Sequence, residues 1–329
     1  MSYHRSTSHP FADSLPGFFP DSLPGCSPSG ALHGAPLLPL TDAPTSRTCT
    51  SPDDPSAVSR PAVIARLRAA GCVFAEDEAE LLVATARTPA ELAAMVERRA
   101  LGLPLEHVLG WAEFAGLRVA VDPGVFVPRR RTEFLLGRAV ALGRRAARPA
   151  PAPTVVVDLC CGSGAVGAAL AAALERVELY ASDIEPAAVR CARRNVAAAG
   201  GEVYEGDLFA PLPDALRGRI DILVANVPYV PSEEVGLLPA EAREHEPRVA
   251  LDGGADGLDV LRRVTAAAPQ WLAPGGHLLV ETSERQAERA VETVARSGLV
   301  PQVAVSDELY ATVIIGTRPT GPAAVTSEG

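Results

Sequence analysis

Apolar positions change their spacing along the chain. From Ala62 to Leu101 they recur at helical intervals, with Val63, Leu67 and Ala70 on one face and Leu81, Leu82 and Ala86 on another. Inside that stretch Thr88-Pro89-Ala90-Glu91-Leu92 reads as a helix start: Thr88 as cap, Pro89 in the first helical position, Glu91 in the first turn. Between Phe114 and Pro128 the pattern alternates on both sides of Asp122-Pro123-Gly124, which predicts a β-hairpin turning there. Beyond the Pro/Ala-rich residues 149–153, candidate strands are Val155–Leu159, Val177–Ser182, Glu202–Tyr204, Ile220–Ala225 and His277–Glu281. The helices between them begin near Ala165, Pro186 and Gly257. This βαβαβ order predicts a parallel, doubly wound α/β sheet. The end of the chain differs. Ser306-Asp307-Glu308, between the runs Val300–Val305 and Tyr310–Gly316, is too short for a parallel crossover, so the last strand is expected to run antiparallel.

Residues 1–57 show no such periodicity. They are rich in Pro, Ser, Gly and Thr, and repeat Asp13-Ser14-Leu15-Pro16-Gly17 at positions 21–25. A segment like this cannot offset its ordering entropy by apolar burial, so a disordered tail is expected there, and another at residues 319–329. The expected division of the rest is a small helical domain over 58–110, a hairpin and linker helix over 111–150, and the α/β domain over 151–318.

Composition narrows the function classes. Hydrophobic residues make up 47% of the chain, ample for a core of this kind. The net charge of -10 argues against non-specific binding to nucleic acid or an anionic membrane. All basic residues are arginine, and Arg129-Arg130-Arg131 is a candidate local basic patch. The six cysteines (26, 49, 72, 160, 161 and 191) show no CxxC spacing and no histidine at metal-site spacing. No metal site is expected, and a reducing cytoplasm suits these thiols better than a disulfide framework. The longest apolar stretch, Ala165 to Leu174, is too short to span a bilayer, and the N-terminus lacks the apolar region of a signal peptide.

Candidate chemistry gathers at the predicted strand ends. Gly162-Ser163-Gly164 and Gly167 spell GxGxxG between the run ending at Leu159 and the helix from Ala165. Glycines let a turn reverse sharply and let a ligand approach the backbone. Dinucleotide sites put those glycines immediately after the strand, whereas here Asp158 ends the strand and the glycines follow four residues later. A carboxylate at that point suits a cationic amino-acid group better than a pyrophosphate. S-adenosylmethionine (AdoMet) has such a group and no phosphate. Asp183 closes the next strand, where an acid can accept both ribose hydroxyls. Asp207 follows the third strand, near where adenine would lie, with Leu208 able to cover the ring.

These motifs make the chain resemble class I AdoMet-dependent methyltransferases, specifically the HemK/PrmC family of protein N5-glutamine methyltransferases. The resemblance runs from about Arg99 to Gly316 and includes RALGLPLEHVLGWAEFAG, VPRRRTEFLL and EHEPRVALDGGADGLDVLRR. It implies strand order 3-2-1-4-5-7-6, AdoMet as cofactor, a helical N-terminal domain that docks substrate, and class-1 peptide-chain release factors as substrate. In those, the glutamine of a Gly-Gly-Gln loop is modified. The chain departs from the family at Val227, where the family has proline, and at Cys160, where the turn's first glycine stands. Cys160 and Cys161 must therefore fit a tight corner as small apolar residues. Arg130 and Arg131 replace a proline and a glutamate, and the helical segment is short.

Asn226-Val227-Pro228-Tyr229 ends the fourth strand. An amide nitrogen is a poor nucleophile because its lone pair is delocalised. Two acceptors gripping its N–H bonds would hold it and favour pyramidalisation: the Asn226 side-chain oxygen and the carbonyl of residue 227. Pro228 stiffens the turn and Tyr229 offers a flat wall for a planar amide. The same clamp would suit adenine N6 in nucleic acid, against which the negative charge counts. A nicotinamide-dependent oxidoreductase is disfavoured by Asp158 and the antiparallel last strand. A non-catalytic AdoMet-binding protein is kept open by Val227.

Overall fold

The computed structural model describes residues 59–145 and 152–321. The tail expected over 1–57, most of that expected over 319–329, and Cys26 and Cys49 lie outside the described residues. The chain continues from residue 59 with helices α1 (Arg60–Ala69), α2 (Ala75–Thr85), α3 (Pro89–Ala100) and α4 (Leu105–Leu109). Val63, Leu67, Ala79, Leu82, Met95 and Val96 form a core of their own among these helices. The start of α3 is as its sequence suggests. The Glu91 backbone N–H donates to Thr88 Oγ1 at 3.1 Å, and the Glu91 carboxylate reaches back to the Arg87 N–H at 2.8 Å. Ala70, expected on the buried face of α1, lies just past its end and is exposed.

The hairpin turns elsewhere than expected. Strands β1 (Trp111–Phe114) and β2 (Leu117–Ala120) pair antiparallel, with Phe114 opposite Leu117. The turn is therefore Ala115-Gly116, not Asp122-Pro123-Gly124. Both turn residues are left-handed, at φ 50° and 75°, as a two-residue hairpin loop of matching twist requires. An alanine in the first turn position conceals this signal, and Asp-Pro-Gly imitates it. The later turn instead redirects the chain between buried Val121, Val125 and Val127 towards helix α5 (Thr132–Arg145).

The remaining elements are β3 (Thr154–Leu159), α6 (Ala165–Ala173), β4 (Val177–Asp183), α7 (Pro186–Val196), β5 (Glu202–Glu205) and β6 (Ile220–Ala225). After them come α8 (Ala240–His245), α9 (Asp259–Trp271), β7 (Leu272–Thr282), α10 (Ala287–Arg296), β8 (Val300–Ser306) and β9 (Ala311–Thr317). They build a seven-stranded sheet in the order β5-β4-β3-β6-β7-β9-β8. Only β9 runs against its neighbours, pairing antiparallel with both β7 and β8. This is the class I methyltransferase arrangement. Central strands β3 and β6 are buried along their whole length, as strands covered on both faces must be. Val156, Ile222 and Leu279 face α5, α6 and α7, while Val157, Leu223 and Leu278 face α9 and α10. Strand β7 starts five residues earlier than its apolar run suggests. Its Pro274-Gly275-Gly276 stretch bulges out between the pairs Ile220–Leu272 and Ile222–His277.

Strand order reverses at β3, with β4 on one side and β6 on the other. Ligands in open α/β sheets bind at the carboxyl ends of the strands beside such a reversal. Among the described residues no helix is long and apolar enough to cross a membrane, and no group of three or more potential ligands could hold a metal ion.

Candidate active site

A cavity of about 450 Å³ opens at those strand ends, within the size range of small-molecule sites. It brings together Asp158, Cys160, Cys161, Gly162, Ser163, Asp183, Asp207, Leu208, Asn226, Val227, Pro228 and Tyr229. Gly164 and Gly167 of the glycine motif, and Arg130, do not line it. Gly164 instead begins α6 at φ 76°, and a Cβ there would sit 2.9 Å from the Ala192 Cβ, so glycine lets α6 close onto α7.

The glycine turn is held by carboxylates. The Gly167 N–H donates to Asp158 Oδ2 at 2.9 Å, the Gly162 N–H to Asp183 Oδ2 at 2.8 Å, and the Gly164 N–H to the Cys161 carbonyl at 2.7 Å. Asn195 ties the same turn to β2, donating to the carbonyls of Ser163 and Ala120. The glycine amides that would meet a pyrophosphate thus already donate to protein acceptors, and Asp158 and Asp183 line the cavity beside them. Those acceptors fit the ammonium and ribose of AdoMet better than a pyrophosphate. Asp158 would face the amino-acid end and Asp183 the ribose.

Cys160 takes the left-handed conformation at φ 52°, which costs a side-chain residue about 1–2 kcal/mol relative to its ordinary backbone. Burial, reinforced by Asp183 and Asp158, pushes the Cys160 thiol up, and burial does the same to Cys161. Both therefore stay protonated and act as small apolar groups. Cys160→Gly is expected to leave activity intact and raise stability by up to about 1 kcal/mol, read as an increased urea midpoint. A clear loss of stability would show that the thiol packing outweighs the backbone strain.

Asp158 is 2% exposed, and burial raises its carboxyl from the ordinary 3.8 to about 7, against the opposing bond from Gly167. In the ligand-free protein this group's contribution to stability is full below pH 3.8 and lost as pH rises through 7. A cationic ligand favours the carboxylate, so affinity for AdoMet should climb as pH rises towards 7 and level off above it. Calorimetry in buffers of different ionisation enthalpy should register proton release on binding near pH 6. Affinity that is flat from pH 5.5 to 8 would contradict this role for Asp158.

Asp183 has its carboxylate fixed by two backbone amides, from Gly162 and Glu185. Asp207 lines the cavity and forms an ion pair with Arg263 of α9, a partner its local sequence did not show. Leu208, at φ 51°, accepts at its carbonyl from the Ser182 hydroxyl at 2.7 Å and turns its side chain between core and cavity.

The Asn226–Tyr229 turn is built from behind. Val227 is buried with Leu258 and Leu261, and Pro228 confines it to extended backbone. Val230 exchanges backbone bonds with Leu251 and Gly253, at 3.0 and 2.8 Å. A Cβ on Gly257 would lie 2.2 Å from the Tyr229 carbonyl, and Gln286 Nε2 donates to that carbonyl at 2.9 Å. The family-like stretch EHEPRVALDGGADGL therefore serves as the mould of the turn. Among the described residues, neither the Asn226 carboxamide nor the Val227 carbonyl has a hydrogen-bond partner.

The arginine cluster is not a free basic patch. Arg129 donates to buried Glu246 at 2.6 Å and Arg131 to buried Glu281 at 2.9 Å, while Arg130 and Arg131 remain exposed. Glu246, Glu281, Gln286, Thr132 and Arg263 were not singled out from the sequence. Glu281 alone carried a usable signal, because it closes a parallel strand as Asp158 and Asp183 do.

Residues 118–241 match the family model "Methyltransferase small domain". A release factor glutamine methyltransferase of Geobacter sulfurreducens is 40% identical over 70% of this chain and 79% of its own. The enzyme so named in Mycolicibacterium smegmatis is 38% identical, over 75% of this chain and 92% of its own. The chain belongs to the release factor glutamine methyltransferase family. Like the family, it is an AdoMet-dependent methyltransferase. A further member, from Streptomyces coelicolor, is 39% identical over 58% of this chain and 67% of its own. Membership removes the oxidoreductase reading, which the occupied turn amides already opposed.

Proposed function

We propose that this enzyme methylates the side-chain amide nitrogen of a glutamine in a class-1 peptide-chain release factor, in the Gly-Gly-Gln loop, in the cytoplasm. The observation that carries this reading is that two consecutive residues lining the cavity, Asn226 and Val227, offer a carboxamide oxygen and a backbone carbonyl without a hydrogen-bond partner among the described residues. Two acceptors match the two N–H bonds of a primary amide.

AdoMet, when bound, supplies a methyl group on a sulfonium, whose departure as a neutral thioether makes a metal or strong base unnecessary. Asp158 and Asp183 orient it. Asn226 and Val227 hold the amide and stabilise positive charge on nitrogen as the N–CH3 bond forms. One N–H proton then leaves to solvent. Tyr229 walls the planar group. A glutamine flanked by glycines can enter this cavity because no neighbouring side chain obstructs its approach.

The clamp also fits adenine N6, so the substrate must be tested directly. Labelled AdoMet is offered with purified release factors, total RNA and genomic DNA in separate reactions. The expected product is N5-methylglutamine in the release factor. Label found as N6-methyladenine, with none on glutamine, would sink the proposal.

A further inference from the structure

Glu281, the last residue but one of β7, is 2% exposed, a costly position for a carboxylate without donors around it. It has three. Arg131 Nε donates to Oε1 at 2.9 Å, the Tyr229 hydroxyl to the same oxygen at 3.0 Å, and the Thr132 hydroxyl to Oε2 at 2.8 Å. Arg131 Nη2 also donates to the Tyr229 hydroxyl at 2.5 Å, with its guanidinium 5.7 Å from the ring centroid. The phenol thus donates once and accepts once. Burial, with the Glu281 charge beside it, pushes Tyr229 up, so it keeps the proton it donates. At its other end the Tyr229 carbonyl takes the Gln286 amide. The ring is fixed from both ends, by groups from the loop before α5, from α5 itself, from β7 and from the residues preceding α10.

A salt bridge serving stability alone needs only Arg131 and Glu281. Here a phenol is inserted with a bond to each, and Arg131, Thr132 and Tyr229 all line the cavity. We propose that Glu281, supported by Arg131 and Thr132, is a positioning residue that sets the orientation of the Tyr229 ring against the substrate amide. This rests on the role given to Tyr229 above. It explains how the chain accommodates arginine at 131: the guanidinium turns inward and completes the cradle of the phenol.

Glu281→Gln is expected to lower kcat about tenfold while S-adenosylhomocysteine affinity stays within about twofold, since the residue acts on the amide wall and not on the cofactor acids. Tyr229→Phe should lose a similar factor. The double variant should be no slower than either single one, because both act through one ring. Thr132→Ser should keep wild-type turnover, and Thr132→Val should lose part of it. A spectroscopic arm uses 3-fluorotyrosine in the full chain, with the Tyr229 resonance assigned by Tyr229→Phe and Tyr310, 91% exposed, as the solvent reference. Glu281→Gln should move the Tyr229 signal towards that of Tyr310. Should Glu281→Gln fail to fold, Thr132→Val is read in the same two assays.

Losses that multiply in the double variant, an unmoved fluorine signal, or a fall in cofactor affinity and melting temperature parallel to kcat would each overturn the proposal. Failure of the functional reading looks different. The wild-type enzyme would then put no methyl on glutamine, while the fluorine signal would still report whether Glu281 holds the ring.

Discussion

Asn226→Ala should lower kcat by about 100-fold or more while the fold stays intact. Asn226 follows strand β6 and lines the cavity, and among the described residues its side chain has no hydrogen bond that its removal would break. Loss of one of two acceptors leaves the developing positive charge on nitrogen half-supported. The Val227 carbonyl remains, so residual transfer should persist. Val227→Pro should be tolerated, because the group in use is the backbone carbonyl. Single-turnover kinetics with the release factor, beside calorimetry with S-adenosylhomocysteine, separate chemistry from cofactor binding. Full turnover in Asn226→Ala would end the amide-clamp mechanism.

The second large effect lies in the helical segment. Arg99 forms a two-pronged pair with Glu78, at 2.6 and 3.1 Å, and the side chains are only 9% and 11% exposed. The same guanidinium donates to the Leu103 carbonyl at 3.0 Å and to Glu241 of α8 at 2.7 Å. Burial alone would favour losing the charge on Arg99, but Glu78 and Glu241 more than compensate and hold it protonated. Arg99→Ala strands the Glu78 carboxylate in the interior, which is expected to cost about 3–5 kcal/mol. The double variant Arg99→Met/Glu78→Leu should recover much of this, because burying the charges was itself expensive. Urea unfolding at unchanged slope measures both. A cost below about 1 kcal/mol for Arg99→Ala would show that water reaches the pair. Glu241 lies on the cavity wall, so Arg99 also fixes part of the site.

What could be read from the sequence, and what could not, divides by range. Asp158 and Asp183 were legible because an apolar run ending in an acid, followed by glycines or by a proline-started helix, is a local pattern. The antiparallel β9 followed from the shortness of one link. Glu246 was not legible, since its partners Val127 and Arg129 lie 119 and 117 residues away. The arginine cluster showed its sign but not its partners, so two inward ion pairs passed for a basic surface. The Arg263 partner of Asp207 was hidden for the same reason, because it reaches across from another element. The hairpin failed locally. Two turns competed, and the one with the stronger residue signal was not the one whose backbone reversed the strands.

Strand β9 has a consequence for how the protein is made. It is the last strand among the described residues, yet it sits between β7 and β8, and Val313, Ile314 and Ile315 are almost wholly buried there. During synthesis the sheet must wait with the flank of β7 open until these residues emerge from the ribosome. A nascent chain stalled before Ala311 would present an unpaired apolar strand edge, the feature by which strands recruit foreign partners. Completion of the sheet thus waits on the synthesis of β9.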